Sequence, residues 1–190
     1  MSANPHPLKL MAILAHPDDE SLGIGGVLAR YAAEGIETSV LTATRGESGR
    51  YRGERDAPIH PGSEALARIR ETELRAAAQV LGVRELVLLD YPDGALDQAD
   101  PREVVSRIAA HVRAVRPDVV VTFGPDGAYG HPDHIAISQY AGAAIVAAAA
   151  PRAGASAGDG EPAPHAVSKL YYIAWPADAW DAYQSAFKKL

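Results

Sequence analysis

The chain has 190 residues, of which 47% are hydrophobic and 22% are charged. These proportions are typical of one globular domain, here residues 1–190, that can bury an ordinary core without cross-links. The chain has no cysteine, which excludes disulfides and thiolate metal sites, so His, Asp and Glu would have to hold any transition metal. The net charge of −6 and the lack of a Lys/Arg stripe argue against nucleic acid or an anionic membrane as the main partner.

The amino-terminal apolar run is interpreted as a strand. Residues 8–15 are too few to cross a bilayer, and they lead into a polar motif at His16 without a small-residue cleavage site. We therefore expect neither a membrane span nor a signal peptide. Together with the absence of cysteine, this favours a cytoplasmic protein.

Strand and helix patterns alternate along the whole chain. Strand patterns fall at residues 8–15, 38–43, 85–89, 118–123 and 169–175. Helical periodicity falls at residues 23–34, 63–82, 101–115 and 132–150, with a further helical tail at 178–190. Gly35 is the expected end of the first helix and Ser63 the expected N-cap of the second. The alternation predicts an α/β fold, a single-domain Rossmann-like three-layer sandwich with a mainly parallel sheet.

Two segments interrupt this alternation. Residues 44–62 form a long polar loop, and loops of that length in a small domain are usually functional or mobile. Residues 151–166 are rich in Ala, Gly and Pro. We expect them to be a flexible excursion within the domain, because a fifth strand follows.

Polar clusters follow the first and fourth strands. The sequence His-Pro-Asp-Asp-Glu begins at His16, and His-Pro-Asp-His begins at His131. If the strand order is 3-2-1-4-5, these strands are neighbours at the switch point, and ligands bind outside the carboxyl ends of the strands there. The two clusters are therefore expected to face one pocket.

The residue types in these clusters suit a metal. Each has a pair of nitrogen or oxygen ligands at spacing i, i+3, and a His/His/Asp set with an open fourth position is what catalytic zinc requires. A second carboxylate beside a ligand is the natural general base for metal-bound water. Fe²⁺ or Mn²⁺ would also suit such ligands. His-Pro and Asp-Asp are common turn dipeptides, so the pairing of the clusters carries the argument.

A dinucleotide loop at residues 23–26 is disfavoured, since the preceding acidic residues would repel a pyrophosphate.

The motifs at residues 15–20 and 131–134 resemble those of the LmbE-like or PIG-L family of zinc-dependent N-deacetylases. That family includes glucosaminylphosphatidylinositol deacetylases and enzymes of mycothiol and bacillithiol metabolism. The resemblance covers about residues 8–148. It extends through Thr44-Arg-Gly-Glu, through Arg70 and Glu73, and through the short loop at residues 91–94.

This resemblance implies a set of metal ligands and a base. Carried over residue by residue, it assigns His16, Asp19 and His134 to zinc. It assigns the role of general base to Asp18. A metal-activated water would then attack the amide carbonyl.

The resemblance also implies roles around the metal. His131 would stabilise the oxyanion or protonate the leaving amine, and Asp133 would orient His131. Tyr129 would assist the tetrahedral intermediate. Arg70 and Asp93 would contact substrate hydroxyls. The simpler alternatives are that Arg70 pairs with a glutamate of its own helix and that Asp93 is only a turn residue.

The implied function is zinc-dependent deacetylation of an N-acetylglucosamine-type amino sugar or glycoconjugate. Two alternatives stay open, an amidase of a sugar-linked thiol conjugate and a non-catalytic sugar- or zinc-binding protein. The short segment after the fifth strand suggests the non-catalytic binding protein. Asp18 argues against that alternative, because a binding site has no need of a carboxylate in addition to the metal ligands. The expected partners are a small amino-sugar substrate and further copies of the chain, with no nucleic acid and no membrane.

Overall fold

The computed structural model describes residues 7–51, 60–151 and 162–176, and the single positions 178, 181, 182 and 185. One sheet spans this part of the chain. Its strands are β1 (Lys9–Leu14), β2 (Glu37–Thr44), β3 (Glu85–Tyr91), β4 (Val119–Phe123) and β5 (Lys169–Ile173). The helices are α1 (Asp19–Leu22), α2 (Gly25–Ala33), α3 (Ser63–Val80), α4 (Pro101–Val115), α5 (Gly127–Gly130) and α6 (Pro132–Ala149), with a 3-10 turn at Leu96–Gln98.

The strands lie in the order β3-β2-β1-β4-β5, and every neighbouring pair is parallel. The predicted α/β fold and the predicted strand order are confirmed. The chain builds outward from β1 to β3 and then crosses back to place β4 beside β1. Because the direction of winding reverses there, the gap beyond the ends of β1 and β4 is the place where such sheets bind ligands.

The central strands form the core. After its first residue β1 is buried throughout, and β2 is buried in the same way, as expected of parallel strands covered on both faces. Helices α4 and α6 pack against each other over one face. Helix α4 buries an apolar stripe at helical spacing, because Val104, Ile108 and Val112 are fully buried.

Two helix starts differ from the prediction. The helix predicted at residues 23–34 is α2, which begins at Gly25, and a separate short helix, α1, precedes it from Asp19 inside the first motif. Gly23 permits the tight junction between them, since a Cβ there would lie 2.7 Å from the Asp19 carbonyl oxygen. The predicted N-cap Ser63 is instead the first residue of α3. Gly62 takes the cap position at φ 89°, where glycine is favoured, and it has no side chain to make a cap bond.

Several sequence predictions concern residues that the structure does not describe. Residues 52–59 of the long polar loop, residues 152–161 of the segment expected to be flexible, and most of the tail at 178–190 lie outside the described residues. Within the described part, no helix is long and apolar enough to span a membrane.

Candidate metal centre and active site

Three buried side chains meet beyond the ends of β1 and β4. His16 follows β1, Asp19 begins α1, and His134 lies in the first turn of α6. His16 Nδ1 lies 3.2 Å from His134 Nε2 and 3.7 Å from Asp19 Oδ2, and Asp19 Oδ1 lies 3.4 Å from His134 Nε2. Tetrahedral zinc with nitrogen and oxygen ligands at 2.0–2.1 Å requires ligand atoms about 3.3 Å apart. The three side chains therefore fit a single metal ion, as the sequence predicted.

The outer nitrogens of both histidines are already engaged. His16 Nε2 lies 3.1 Å from Asp93 Oδ1 and 3.1 Å from Asp133 Oδ2, so this nitrogen donates to the carboxylates. His134 Nδ1 lies 3.3 Å from the Gly127 carbonyl oxygen, to which it donates. In each neutral ring the other nitrogen, which faces the shared point, keeps its lone pair. Histidine ligands of metals are oriented in this way.

The carboxylate of Asp19 is held by the backbone of its own motif. Its Oδ2 accepts from the backbone N–H groups of Ala15 at 3.1 Å and His16 at 2.8 Å. These bonds tie the first motif into one turn.

Asp133 orients a different histidine from the one predicted. The backbone N–H groups of Gly94 and Leu96 donate to its fully buried carboxylate, at 2.8 and 3.0 Å. They hold it against His16 Nε2 and not against the His131 ring. Asp133 contacts His131 through its own N–H, which donates to His131 Nδ1 at 3.2 Å. The carboxylate therefore orients His16, and the predicted contact of Asp133 with His131 runs through the Asp133 backbone.

The neighbouring carboxylates hold a proton on His16 in the metal-free protein. Burial opposes the charge on this ring, but the hydrogen bonds to Asp133 and Asp93 and the charge of Asp19 raise its pKa to about 10. Burial likewise opposes ionisation of Asp93 and Asp133, but their bonds to His16 and to backbone amides lower the pKa of both carboxyls. A metal ion would have to displace the His16 proton.

His131 is the N-cap of α6. Because its Nδ1 accepts from the Asp133 N–H, the neutral ring carries its proton on Nε2. Partial burial, followed by the charges of His16 and His134, lowers its pKa below the ordinary value. Near neutral pH His131 is therefore an uncharged donor. Tyr129 is 54% exposed, and its ring meets His131 edge-on at 5.8 Å.

Asp18 lies beside the metal ligands with an ion-pair partner. Its Oδ2 accepts from Arg70 Nη2 at 2.7 Å, and Arg70 also donates to the backbone oxygens of Pro17 and Gly46. Burial, followed by the charge of Asp19, raises the pKa of Asp18 to about 6, although Arg70 and His16 act in the opposite direction. Arg70 thus pairs across the fold with the predicted base, and the alternative that it pairs on its own helix is wrong.

Asp93 is more than a turn residue. Its Oδ1 contacts His16, and its Oδ2 accepts from the backbone N–H of Ser48 at 2.9 Å. Its own N–H donates to Glu47 Oε1 at 2.8 Å. The loops after β2 and β3 are joined at this residue, directly behind the metal ligands.

Two glutamates near the site, Glu47 and Glu20, had no assigned role. Glu47 Oε2 is buried without a hydrogen-bond partner, while its other oxygen holds the loop of Asp93. Glu20 is 1% exposed, and its carboxylate accepts from the backbone of Asp18. Both belong to motifs singled out in the sequence, but the spacing of those motifs does not show which backbone groups they meet.

Two cavities open next to the ligand cluster. One is a cleft of about 940 Å³ bordered by Asp18, Arg70, Tyr129 and His131. The other is a pocket of about 90 Å³ that reaches His134 and Asp19, with Phe123 and Trp175 in its wall. The predicted site residues thus surround space for a ligand.

The histidines outside the motifs have other roles. His165 Nε2 donates to the Pro117 carbonyl oxygen at 2.7 Å, which ties the segment before β5 to the body of the domain. Within the described residues, His60 and His111 do not belong to any group of side chains that could hold a metal. His6 lies outside the described residues.

Comparison with solved structures agrees with this fold. A conserved protein from Thermus thermophilus is 33% identical with a TM-score of 0.70, over 95% of this chain and 79% of that one. An N,N'-diacetylchitobiose deacetylase from Pyrococcus horikoshii has a TM-score of 0.74 over 95% of this chain and 76% of that one. Its identity of 22% shows a shared fold alone.

Comparison with curated sequences points to one group of relatives. Proteins named 1D-myo-inositol 2-acetamido-2-deoxy-alpha-D-glucopyranoside deacetylase from Kineococcus radiotolerans and Rhodococcus opacus are each 40% identical to this chain. The alignments cover 90% and 92% of this chain but 53% and 64% of the relatives, so the chain spans between about half and two-thirds of their length. The family model described as PIG-L, GlcNAc-PI de-N-acetylase, matches residues 11–145. On this match, which includes both metal-ligand motifs, the chain belongs to the PIG-L family.

Proposed function

We propose that the protein is a zinc-dependent N-deacetylase that acts on an N-acetylglucosamine-type amino sugar or glycoconjugate. One observation carries the proposal. The His16, Asp19 and His134 cluster has ligand-to-ligand distances suited to one zinc ion, and it lies beside two further polar groups, Asp18 and His131, at an open cleft. A site for metal storage would need the cluster alone.

Zinc is the metal that suits this donor set best. Two imidazoles and one carboxylate in tetrahedral positions leave a fourth position open, as in catalytic zinc sites. A zinc ion bound there supplies a Lewis acid that polarises the amide carbonyl and makes a nearby water more acidic. Fe²⁺ and Mn²⁺ are the alternatives that the same ligands would accept.

Asp18 supplies the base. With a pKa of about 6 it is ionised at neutral pH, yet it holds a proton more readily than an ordinary aspartate. It accepts a proton from the attacking water. Once protonated, Asp18 can return that proton to the leaving amine, so a single carboxyl group can serve both half-reactions.

His131 supplies a neutral hydrogen-bond donor. Its Nε2–H is fixed by the bond at Nδ1, and its ring borders the cleft. A preorganised donor to a developing oxyanion is worth about 2.7–4 kcal/mol. We therefore favour oxyanion stabilisation over amine protonation as the role of His131. Tyr129, which borders the same cleft, assists from the exposed side.

Arg70 and Asp93 are proposed to contact sugar hydroxyls. Arg70 uses three of its five N–H donors on Asp18 and on two backbone oxygens, which leaves two for a ligand in the cleft. Asp93 retains lone pairs beyond those that meet His16 and Ser48. Its first role is to hold His16.

The small pocket favours acetyl as the acyl group. Its volume is about 90 Å³, against about 940 Å³ for the cleft beside it. An acetyl group, with three non-hydrogen atoms, fits, whereas the acyl part of a thiol conjugate is larger. This observation supports deacetylation over conjugate cleavage. The names of the relatives support an inositol-linked N-acetylglucosamine as the substrate.

The test is acetate release by metal-free protein with and without one equivalent of zinc. The substrates are N-acetylglucosamine, N-acetylglucosaminyl-inositol and N-acetylglucosaminyl-malate. We expect zinc-dependent release, fastest with the inositol compound. No release from any of them, in protein shown to bind zinc, would contradict the proposal and favour a conjugate amidase or a binding protein.

A further inference from the structure

Asp18 holds a backbone conformation that aspartate rarely adopts. Its φ is 105° and its ψ is −25°, in the left-handed region that favours glycine. A residue of this kind keeps such a conformation only where its surroundings over-determine it, and such residues cluster at functional sites. The conformation lets the Asp18 carbonyl oxygen start α1, by accepting from the N–H groups of Ser21 and Leu22, while the side chain meets Arg70.

Glu20 makes the contact that holds this conformation. Its Oε2 accepts from the Asp18 N–H at 3.0 Å, and its Oε1 accepts from Ser21 Oγ at 2.6 Å. The side chain is 1% exposed and has no ion-pair partner among the described residues. A buried carboxyl group is costly to a fold unless it is hydrogen-bonded, and no group of possible metal ligands within the described residues includes Glu20. The carboxylate is therefore retained for the backbone bond it makes.

We propose that Glu20 is a positioning residue that locks the Asp18 backbone in its left-handed conformation and so aims the Asp18 carboxylate at the reacting water. The effect on turnover rests on the proposed function of Asp18. The effect on the backbone does not. Glu20 also borders the cleft, but in this role it acts through the Asp18 backbone.

Two substitutions of nearly equal volume separate the effect of the Glu20 hydrogen-bond acceptor from the effect of its side-chain packing. Glu20→Gln keeps an oxygen for the Asp18 N–H, and its amide nitrogen can donate to Ser21 Oγ. Glu20→Met fills the same space but accepts no strong hydrogen bond. Ser21→Ala is the matched control, because it removes only the second bond of Glu20 and leaves the bond to Asp18.

The experiment measures zinc content, kcat, KM and the exchange rate of the Asp18 amide hydrogen by NMR. For Glu20→Met we expect one zinc, little change in KM, a loss in kcat of about 100-fold, and faster exchange at Asp18. Glu20→Gln should recover most of the kcat and the amide protection, and Ser21→Ala should match the unsubstituted protein.

Three results would overturn the proposal. One is normal amide protection and normal kcat in Glu20→Met. Another is loss of zinc in Glu20→Met, which would mean that Glu20 supports Asp19 instead. The third is equal loss in Glu20→Gln and Glu20→Met. If the unsubstituted protein releases no acetate, the proposed function fails, and the amide exchange still decides the role of Glu20.

If Glu20→Met does not fold, a double variant with glycine at position 18 still tests the proposal. Glycine adopts a φ of 105° without support, so the Asp18→Gly background should tolerate Glu20→Met. Folding of that double variant, seen by circular dichroism, would support the proposal. Failure to fold in this background as well would overturn it.

Discussion

At the scale of single residues, the site depends on which atom of each side chain faces the metal. His16 shows this best, because its Nε2 meets Asp93 and Asp133 while its Nδ1 faces Asp19 and His134. The two carboxylates set the ring orientation before any metal binds, and they keep the proton on Nε2 when Nδ1 gives up its own proton to a metal. Such partners behind a ligand typically affect metal affinity 10- to 100-fold when they are removed.

His134 and His131 have similar surroundings but different proposed roles, which a matched pair of substitutions separates. His134→Ala should lose zinc, because two ligands remain. His131→Ala should keep zinc and lose about 100- to 1,000-fold in kcat, the effect of removing one oxyanion donor. Zinc content by elemental analysis and steady-state kinetics measure both. Full zinc occupancy in His134→Ala would remove that residue from the ligand set.

The Arg70–Asp18 pair predicts how activity depends on pH. Asp18 must be ionised to accept a proton, so kcat should fall as the pH falls through its pKa, which is about 6 without a metal and lower beside a bound cation. The charge of Arg70 lowers this pKa. Arg70→Gln should therefore move the acidic limb of the kcat profile to higher pH. The assignment fails if the limb stays in place, or if Asp18→Asn retains both the limb and its turnover.

At the scale of elements, the loops after the strands do the positioning. The loop after β2 supplies the Gly46 carbonyl for Arg70 and the Ser48 N–H for Asp93. The loop after β3 supplies the two N–H groups that hold Asp133. Each loop follows a parallel strand of the sheet, so the sheet fixes where the loops begin and the loops orient the side chains.

Gly46 tests this positioning, because its lack of a side chain leaves room for Arg70. Gly46 has φ 67°, and a Cβ there would lie 2.3 Å from Arg70 Nη1. Gly35 has φ 82° and nothing within 4 Å, which makes it the matched control. Alanine at either position should cost about 1–2 kcal/mol of stability through the left-handed backbone. Only Gly46→Ala should also displace Arg70 and reduce kcat/KM, so equal activity of the two variants would contradict this role for Gly46.

At the scale of the whole molecule, metal binding, protonation and stability are linked. In the metal-free protein the pKa of His16 is raised from 6.5 to about 10. Its charged contacts therefore stabilise the fold fully below pH 6.5, and this contribution is lost as the pH rises towards 10. Zinc binding removes the same proton and replaces its contacts with metal bonds.

We therefore expect zinc to displace about one proton at pH 7 and to raise the melting temperature. Free zinc at 100 times its Kd adds about 2.7 kcal/mol of stability. Calorimetric titrations in buffers of different ionisation enthalpy measure the proton, and thermal unfolding with zinc or with a chelator measures the stability. Zinc binding without proton release would contradict the charged state of His16.

Much of the architecture could be predicted from local patterns. Helix α4 begins and ends where its sequence predicts, because Asp100 accepts from the Arg102 N–H, Pro101 suits the first turn, and the apolar stripe repeats at helical spacing. The order of the strands followed from alternation and the right-handed crossover, and this order alone places the two motifs together. These features are decided by interactions within one element or between neighbouring elements.

Which partner each site residue takes was decided only by the tertiary structure. Asp133 meets His16 across 117 residues, and Arg70 meets Asp18 across 52, so no local pattern contains either pair. The left-handed conformation of Asp18 and its bond to Glu20 lie within three residues, yet they too escaped prediction. Left-handed backbone is unfavourable for aspartate in isolation, and only the fit of the turn between β1, α1 and Arg70 makes it the stable state. The ligand types can be read from the chain, whereas their orientation depends on loops that meet only after the sheet has formed.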